Sequence, residues 1–322
     1  MTELLGEDLA RAAQILRNGG LVALPSETVY GLAARGLDVD CARKIFAAKG
    51  RPSDNPLILH VGSFDDALPL WDDTPLALHR AQILAQAFWP GPLTIVCHKS
   101  ELVPDAISAG LPRVAVRVPA HASFLAVLRL VGEPLAAPSA NASGRPSPTT
   151  AQDVLQSLAG RIDAVVDGGP CRIGIESTVI DVSGTVPTIL RPGATRLEKL
   201  RALLPDIVTR TAGQAAHVKD ASPGLRHRHY APAIASLLLV EDVAPHWASD
   251  AALLVRAASE RRLGVRPAQL EVLPDDVDGY ARALYAALYR LERAAPARLV
   301  IEAVPHEDAW LAVRDRLARA VA

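Results

Sequence analysis

The sequence predicts an α/β protein in two parts: a mixed, twisted open sheet with helices, then a smaller α/β domain. Short apolar runs alternate with stretches of helical periodicity along most of the chain. Two later runs, within Gly174 to Val182 and Thr188 to Gly193, lie close enough to be antiparallel, so the first sheet should be mixed rather than purely parallel. The 322 residues, half of them hydrophobic, suffice for two cores, and the apolar pattern weakens between Pro205 and Pro232. The expected boundaries are 1–205 for the larger domain, 206–232 for a connecting segment and 233–322 for the smaller domain.

Leu9, Ala12, Ala13 and Leu16 give Glu7 to Arg17 a helical period, and Asn18-Gly19-Gly20 ends it. Leu21 to Leu24 reads as a first buried strand. The following stretch, P-S-E-T-V-Y-G-L-A-A from Pro25 to Ala34, places Ser26, Glu27, Thr28 and Tyr30 past the carboxyl end of that strand. Open α/β sheets tend to carry ligands there; the alternative is an ordinary polar loop with Gly31 in a turn. A helix from Asp40 to Lys49 leads into K-G-R-P-S-D-N-P-L-I-L-H, Lys49 to His60, with a buried strand over Leu57 to Val61. Gly50 can form a left-handed C-cap, Pro52 stops the helix, and Asn55-Pro56 fixes the entry to the strand. Lys49 and Arg51 therefore sit on a short, stiff connector. They suit a phosphate chain, because Arg offers a planar fork of donors and Lys a mobile charge. They also suit a solvated helix end, the commoner arrangement for such a dodecamer taken alone.

A helix over Leu76 to Phe88 is followed by Pro90-Gly91-Pro92 and a strand from Leu93 to Val96. V-A-V-R-V-P, Val114 to Pro119, is a strand interrupted by Arg117. A buried strand does not tolerate an unpaired guanidinium, so Arg117 either pairs with an internal carboxylate or meets an anionic ligand. A helix, Ser123 to Leu130, and a strand, Pro134 to Ala137, precede P-S-A-N-A-S-G-R-P-S-P, Pro138 to Pro148. This loop holds Ser139, Asn141, Ser143, Arg145 and Ser147 under the restraint of its prolines, so it can bind a polar ligand at small ordering cost. After a helix from Ala151 to Leu158, G-I-E-S-T-V-I-D-V puts Glu176, Ser177 and Thr178 ahead of a strand. T-I-L-R-P-G then ends another strand on Arg191, and a helix over Leu197 to Leu204 closes the domain.

The connecting segment ends in S-P-G-L-R-H-R-H-Y-A-P, with Arg226, His227, Arg228, His229 and Tyr230. No carboxylate or thiol stands nearby, so it reads as a basic linker crossing an anionic site in preference to a metal-ligand set. Beyond Pro232, strands are expected over Ala235 to Val240, Ala252 to Val255, Gln269 to Leu273 and Arg298 to Val304. Helices are expected over Tyr280 to Arg293 and Asp308 to Ala320. There is no G-x-G-x-x-G to ask for a dinucleotide.

Composition narrows the function. A net charge of −1, from 34 Lys plus Arg against 35 Asp plus Glu, argues against broad adhesion to nucleic acid or anionic membrane. Cys41, Cys97 and Cys171 are far apart and give no zinc signature, which fits a reducing compartment. The acidic start M-T-E-L-L-G-E-D-L lacks the regions of a signal peptide, and no apolar run reaches membrane-spanning length, so a cytoplasmic protein without membrane partners is expected. The P-loop, the G-x-S-x-G elbow, H-E-x-x-H and the kinase signatures are all absent.

Eight segments in one order, spanning residues 25 to 232, resemble the YrdC/Sua5 family, the threonylcarbamoyl-AMP synthases. They are P-S-E-T-V-Y-G-L, K-G-R-P-S-D-N-P-L-I-L-H-V, W-P-G-P-L-T, V-R-V-P, P-S-A-N-A-S-G, G-I-E-S-T-V-I-D, I-L-R-P-G and S-P-G-L-R-H-R-H-Y-A-P. The resemblance implies a YrdC-like catalytic domain and, since a further domain follows the linker, the long Sua5 type with a Rossmann-like C-terminal α/β domain. It implies that L-threonine, bicarbonate or CO2, and ATP give threonylcarbamoyl-adenylate and pyrophosphate, the first step towards threonylcarbamoyladenosine in tRNA. The product would pass to the tRNA threonylcarbamoyl transferase complex, with direct tRNA contact secondary.

Under that resemblance Lys49 and Arg51, with Arg191 and Arg113, would hold the phosphates, together with Mg2+ carried by ATP and no metal ligand from the protein. Ser139, Asn141 and Ser147 would bind phosphate or ribose oxygens, Asn55 would shape the loop, and Tyr230 would close over the nucleotide. Arg117 would take the threonine carboxylate, with His60, Thr28 and Ser177 completing the amino-acid side. No covalent nucleophile is needed. Ser26 stands where threonine is frequent in the family, Leu225 where methionine is, and Asp54 could trim the local positive charge. The rivals are a carbamoyl-adenylate-forming transferase acting on another acceptor and an RNA-binding or ribosome-assembly factor. Near-neutral charge counts against the second.

Overall fold

The structure is a computed structural model that describes residues 1–209, 229–243, 246–247, 251–263 and 269–322. In chain order the larger domain comprises β1 (Glu3–Leu4), α1 (Leu9–Arg17), β2 (Val22–Leu24), β3 (Gly31–Arg35), α2 (Val39–Lys49), β4 (Ile58–His60), α3 (Phe64–Ala67) and α4 (Pro75–Phe88). It continues through β5 (Leu93–His98), α5 (Asp105–Ser108), β6 (Arg113–Arg117), α6 (Ala122–Val131), β7 (Leu135–Ala136), α7 (Ala151–Leu158) and β8 (Ala164–Val165). It closes with β9 (Thr178–Asp181), β10 (Thr188–Arg191), α8 (Leu197–Arg201) and β11 (Val208–Thr209).

These strands make one sheet in the order β1-β8-β2-β3-β7-β4-β6-β5-β9-β10-β11. It is mixed: β4 runs parallel to β6 and β5 to β9, whereas β3 and β7, β5 and β6, and β9 and β10 are antiparallel. The expected β9–β10 antiparallel pair is present. The sequence reading missed β3, which begins on Gly31, and the two-residue strands β1, β8 and β11. The sheet also runs on to Thr209, past the 205 boundary expected for this domain.

Helix ends follow the local chemistry. Asp38 accepts from the amides of Asp40 and Cys41 to start α2, and Gly50 ends it at φ +59°, the left-handed cap expected there. Thr150 and Asp153 form a reciprocal capping box on α7. On one face of the sheet Ile58, Val96, Ala115, Val179 and Leu190 form a small apolar cluster. His60 pairs with Arg117 across β4 and β6, which puts both on that same face one step beyond Ile58 and Ala115.

The smaller domain comprises β12 (Ser236–Val240), β13 (Ala252–Arg256), α9 (Ala257–Leu263), β14 (Leu270–Leu273), α10 (Val277–Arg293), β15 (Arg298–Glu302) and α11 (Leu311–Val321). Its sheet is all parallel, in the order β12-β15-β13-β14. The core of this domain is not self-contained. Val29 and Ile175 of the larger domain, with Tyr230, belong to the same buried cluster as Tyr280, Leu284, Tyr285 and Leu317. Of the basic run before Tyr230, Arg226, His227 and Arg228 lie outside the described residues.

Candidate active site

Loops that follow β2, α2 and β7 meet the start of β9 and the ends of β4, β6 and β10 around a cavity of about 50 Å3. Thr28, Arg51, His60, Arg117, Ser139, Ser177, Arg191 and Tyr230 line it. All four residues expected on the amino-acid side are there, with four of those expected on the nucleotide side. Lys49, Asn55, Asn141 and Ser147 are buried behind that lining, and Arg113 stands away from it.

Arg117 is buried, and the first of its two alternatives, an internal carboxylate, is the one the structure shows. Its Nη2 donates to Glu27 Oε1 at 2.6 Å and to Thr28 Oγ1 at 3.0 Å, and its Nε to the Gly91 carbonyl. It is thus paired internally and also faces the cavity. Glu27 Oε2 accepts from the Ala120 amide. Burial pushes the Glu27 carboxyl upward, but the Arg117 charge and hydrogen bonds bring it below the ordinary range. Ser177 Oγ bonds Thr94 Oγ1 at 2.8 Å, and Arg191 Nη2 donates to the Ser177 carbonyl and hydroxyl. His60 is stacked on Phe124, and its Nδ1 is buried without a hydrogen-bond partner among the described residues. Burial, then Arg117, pushes its pKa down to about 3, so the ring is neutral.

Lys49 donates to the carbonyls of Ser139 and Asn141, leaving one of its three protons for another acceptor. Burial, then Arg51, draws its pKa well below the ordinary lysine value. Arg51 reaches the Asn55 side chain at 2.6 Å and the Pro56 carbonyl at 2.9 Å, which ties the connector into one rigid turn with Asn55 as its brace. Ser147 Oγ donates to Glu176 Oε1. Arg113, at the start of β6, sits 3.5 Å from Asp181. Four residues at roughly 3.3 Å each separate it from Arg117, and it does not join the cavity.

Sequence reasoning assigned no role to Glu176, Glu27, Thr94 or His229. Glu176 is buried at the cavity wall; burial raises its pKa, but Arg316, Arg191 and the Ser147 hydroxyl together bring it down to about 2. His229 lines the cavity beside Tyr230, 4.1 Å between ring centroids. Both glutamates stood in loops singled out by position, but nothing in the sequence separated them from their polar neighbours.

The Sua5/YciO/YrdC family model, described as telomere recombination, matches residues 14–193. A second, the threonylcarbamoyl-AMP synthase C-terminal domain, matches residues 195–322. The chain is 42% identical over 318 residues to a threonylcarbamoyl-AMP synthase of Pyrococcus abyssi, covering 96% of this chain and 92% of that protein. It is 38% identical to that of Bacillus subtilis, over 97% of this chain and 92% of the other. The crystal structure of P. abyssi Sua5 complexed with L-threonine superposes with a TM-score of 0.89 at 38% identity, covering 100% of this chain and 97% of that one. Matched in both domains and along almost its whole length, the chain belongs to the Sua5/YrdC family of threonylcarbamoyl-AMP synthases.

Proposed function

We propose that this protein makes threonylcarbamoyl-adenylate from L-threonine, bicarbonate or CO2, and ATP, releasing pyrophosphate, and that the cavity at the ends of β4, β6 and β10 is where it does so. One observation carries the reading beyond family membership: Arg117, Thr28, His60 and Ser177 line the same small cavity as Arg51, Arg191 and Tyr230. An amino acid and a nucleotide phosphate would therefore meet within bonding reach.

Arg117 takes the threonine carboxylate. Its plane is fixed by Glu27, Thr28 and the Gly91 carbonyl, so little orientational freedom is lost on binding. Neutral His60, with Nδ1 unpartnered among the described residues, accepts a hydrogen bond from the amino-acid side. The threonine amine adds to CO2 with loss of a proton, or to bicarbonate with loss of water, and an oxygen of the resulting carbamate attacks the α-phosphorus. The bond from that phosphorus to the β-phosphate bridging oxygen breaks, and pyrophosphate leaves. Arg51 and Arg191 stabilise the phosphate charge without reorganising, since neighbouring groups already hold both of them, and Lys49 braces the Ser139 loop behind them.

Mg2+ enters with ATP as its counter-ion. Glu27 and Glu176, the carboxylates at the site, are both engaged by arginines, and no metal-ligand cluster gathers among the described residues. Ligand sites commonly measure roughly 300–1,000 Å3. ATP therefore enters with His229 and Tyr230 displaced and is enclosed on their return, which keeps water from a labile product. The product then passes to the transferase that modifies tRNA. Among the described residues no helix is long and apolar enough to cross a membrane.

The test is pyrophosphate release from ATP with threonine and bicarbonate each present or omitted. Release should require both. Arg117→Lys, which loses the fork, should raise the KM for threonine by roughly 30-fold, the equivalent of one charged hydrogen bond. Release that ignores threonine would overturn the assignment.

A further inference from the structure

Glu176 is the point at which the smaller domain reaches the reaction site. Ser147 donates to its Oε1 at 2.5 Å from within the larger domain. The other donors come from the smaller one: Tyr285 Oη on α10, at 3.1 and 3.2 Å from the two oxygens, and Arg316 Nε on α11, at 2.8 Å from Oε2. The same two side chains flank Tyr230. Its ring stacks on Tyr285 with centroids 5.7 Å apart, and the Arg316 guanidinium carbon lies 5.2 Å from its centroid. Arg316 Nη1 also donates to the Pro192 carbonyl at 2.8 Å, directly after Arg191.

Stability alone does not account for this cluster. Desolvation of a buried ion pair largely offsets its attraction, and apolar residues of similar volume often do as well. Arg316 Nη2 and the Tyr230 hydroxyl are buried with no hydrogen-bond partner among the described residues, an arrangement that a purely structural cluster would avoid. Tyr230 also holds φ at +63°, a region that bulky residues rarely adopt and that persists only where the surroundings over-determine it.

We infer that Arg316 and Tyr285 are positioning residues for the synthase reaction, acting from the smaller domain through Glu176 and Tyr230. This rests on the function proposed above. By gripping Glu176 and the Pro192 carbonyl together, Arg316 clasps the start of β9 to the end of β10, the segments that carry Ser177 and Arg191. With its proton committed to Glu176, Ser147 presents only acceptor lone pairs, which suits a ribose hydroxyl better than a phosphate oxygen. Tyr285 and Arg316 together form the seat onto which Tyr230 closes.

The experiment measures pyrophosphate release by the full chain, with ATP and threonine varied separately, beside thermal melting of each variant. Tyr285→Phe keeps the ring stack and removes only the hydroxyl. It should lower kcat/KM for ATP about 15-fold, as expected for one hydrogen bond to a charged group, with the melting midpoint held. Arg316→Lys, which keeps the charge but not the fork, should lose about 30-fold, less than Arg316→Met. Wild-type kinetics in folded Tyr285→Phe and Arg316→Lys, or losses that track melting alone, would overturn the inference. If Arg316→Met fails to fold, Tyr285→Phe still decides. A wild-type chain without threonine-dependent release sinks the functional reading before any variant is compared, and this inference with it.

Discussion

Arg117 shows how much one side chain can be asked to do. A guanidinium on a buried strand had two solutions, a carboxylate or a ligand; Arg117 takes Glu27 for the first and also lines the cavity. Glu27→Gln should accordingly destabilise the fold by about 3–5 kcal/mol, because it leaves a buried arginine uncompensated; a urea titration measures this, and an unchanged midpoint would contradict the pairing. The acid response follows from the same groups. His60 and His229 are both held down to about 3 in the folded chain by burial, while an unfolded histidine titrates near ~6.5. The unfolded state therefore binds more protons below that pH, and stability falls as pH drops from about 6.5 towards 3. Glu176, with its folded value near 2, adds a loss of the same sign once pH falls below the ordinary glutamate value of about 4.3. Urea midpoints between pH 7.5 and 5 should decline; His60→Phe, which cannot take up the proton when unfolded, should flatten that slope, and an unflattened slope would remove His60 from the account.

At the level of elements, β9 and β10 meet at a point with no room to spare. A Cβ on Gly193 would fall 2.4–2.5 Å from the backbone of Glu176, Ser177 and Thr178. Gly193→Ala must push those segments apart, and with them Ser177 and Arg191; activity should drop more than 100-fold, about 3 kcal/mol in transition-state terms, and near-wild-type release would show that the contact can relax. The elements that carry strong periodicity or caps, such as α2, α4 and α10, were legible in the sequence because each residue choice agrees with the helix it enters. β3 was not, since G-L-A-A-R starts on glycine and has low strand propensity; its pairing with β2 and β7 decides it. Two-residue strands have no period to read. The site was legible as residue types on loops, because connectors at strand ends carry the polar chemistry. Its partners were not: Glu27 finds Arg117 90 residues away and Glu176 finds Arg316 at 140, distances over which only the folded topology decides contact.

At the scale of the molecule the two domains are joined by a shared apolar cluster and a buried ionic one, both centred on the loop that holds Ile175 and Glu176. Cutting the chain after Thr209 would uncover Val29 and Ile175 and leave Glu176 with Ser147 and Arg191 but without its two donors from α10 and α11. The expected outcome is a larger domain that still forms its sheet, since the strand pairings β1 to β11 are made within it, yet binds a hydrophobic dye and melts earlier. Its threonine- and bicarbonate-dependent pyrophosphate release should fall by at least the product of the Tyr285→Phe and Arg316→Lys losses, because Tyr230 goes with the removed segment. Circular dichroism would establish the retained sheet, and the release assay the lost function. A truncated chain with full activity would mean that neither the seat for Tyr230 nor the clasp on Glu176 matters to the reaction, whatever they contribute to the fold.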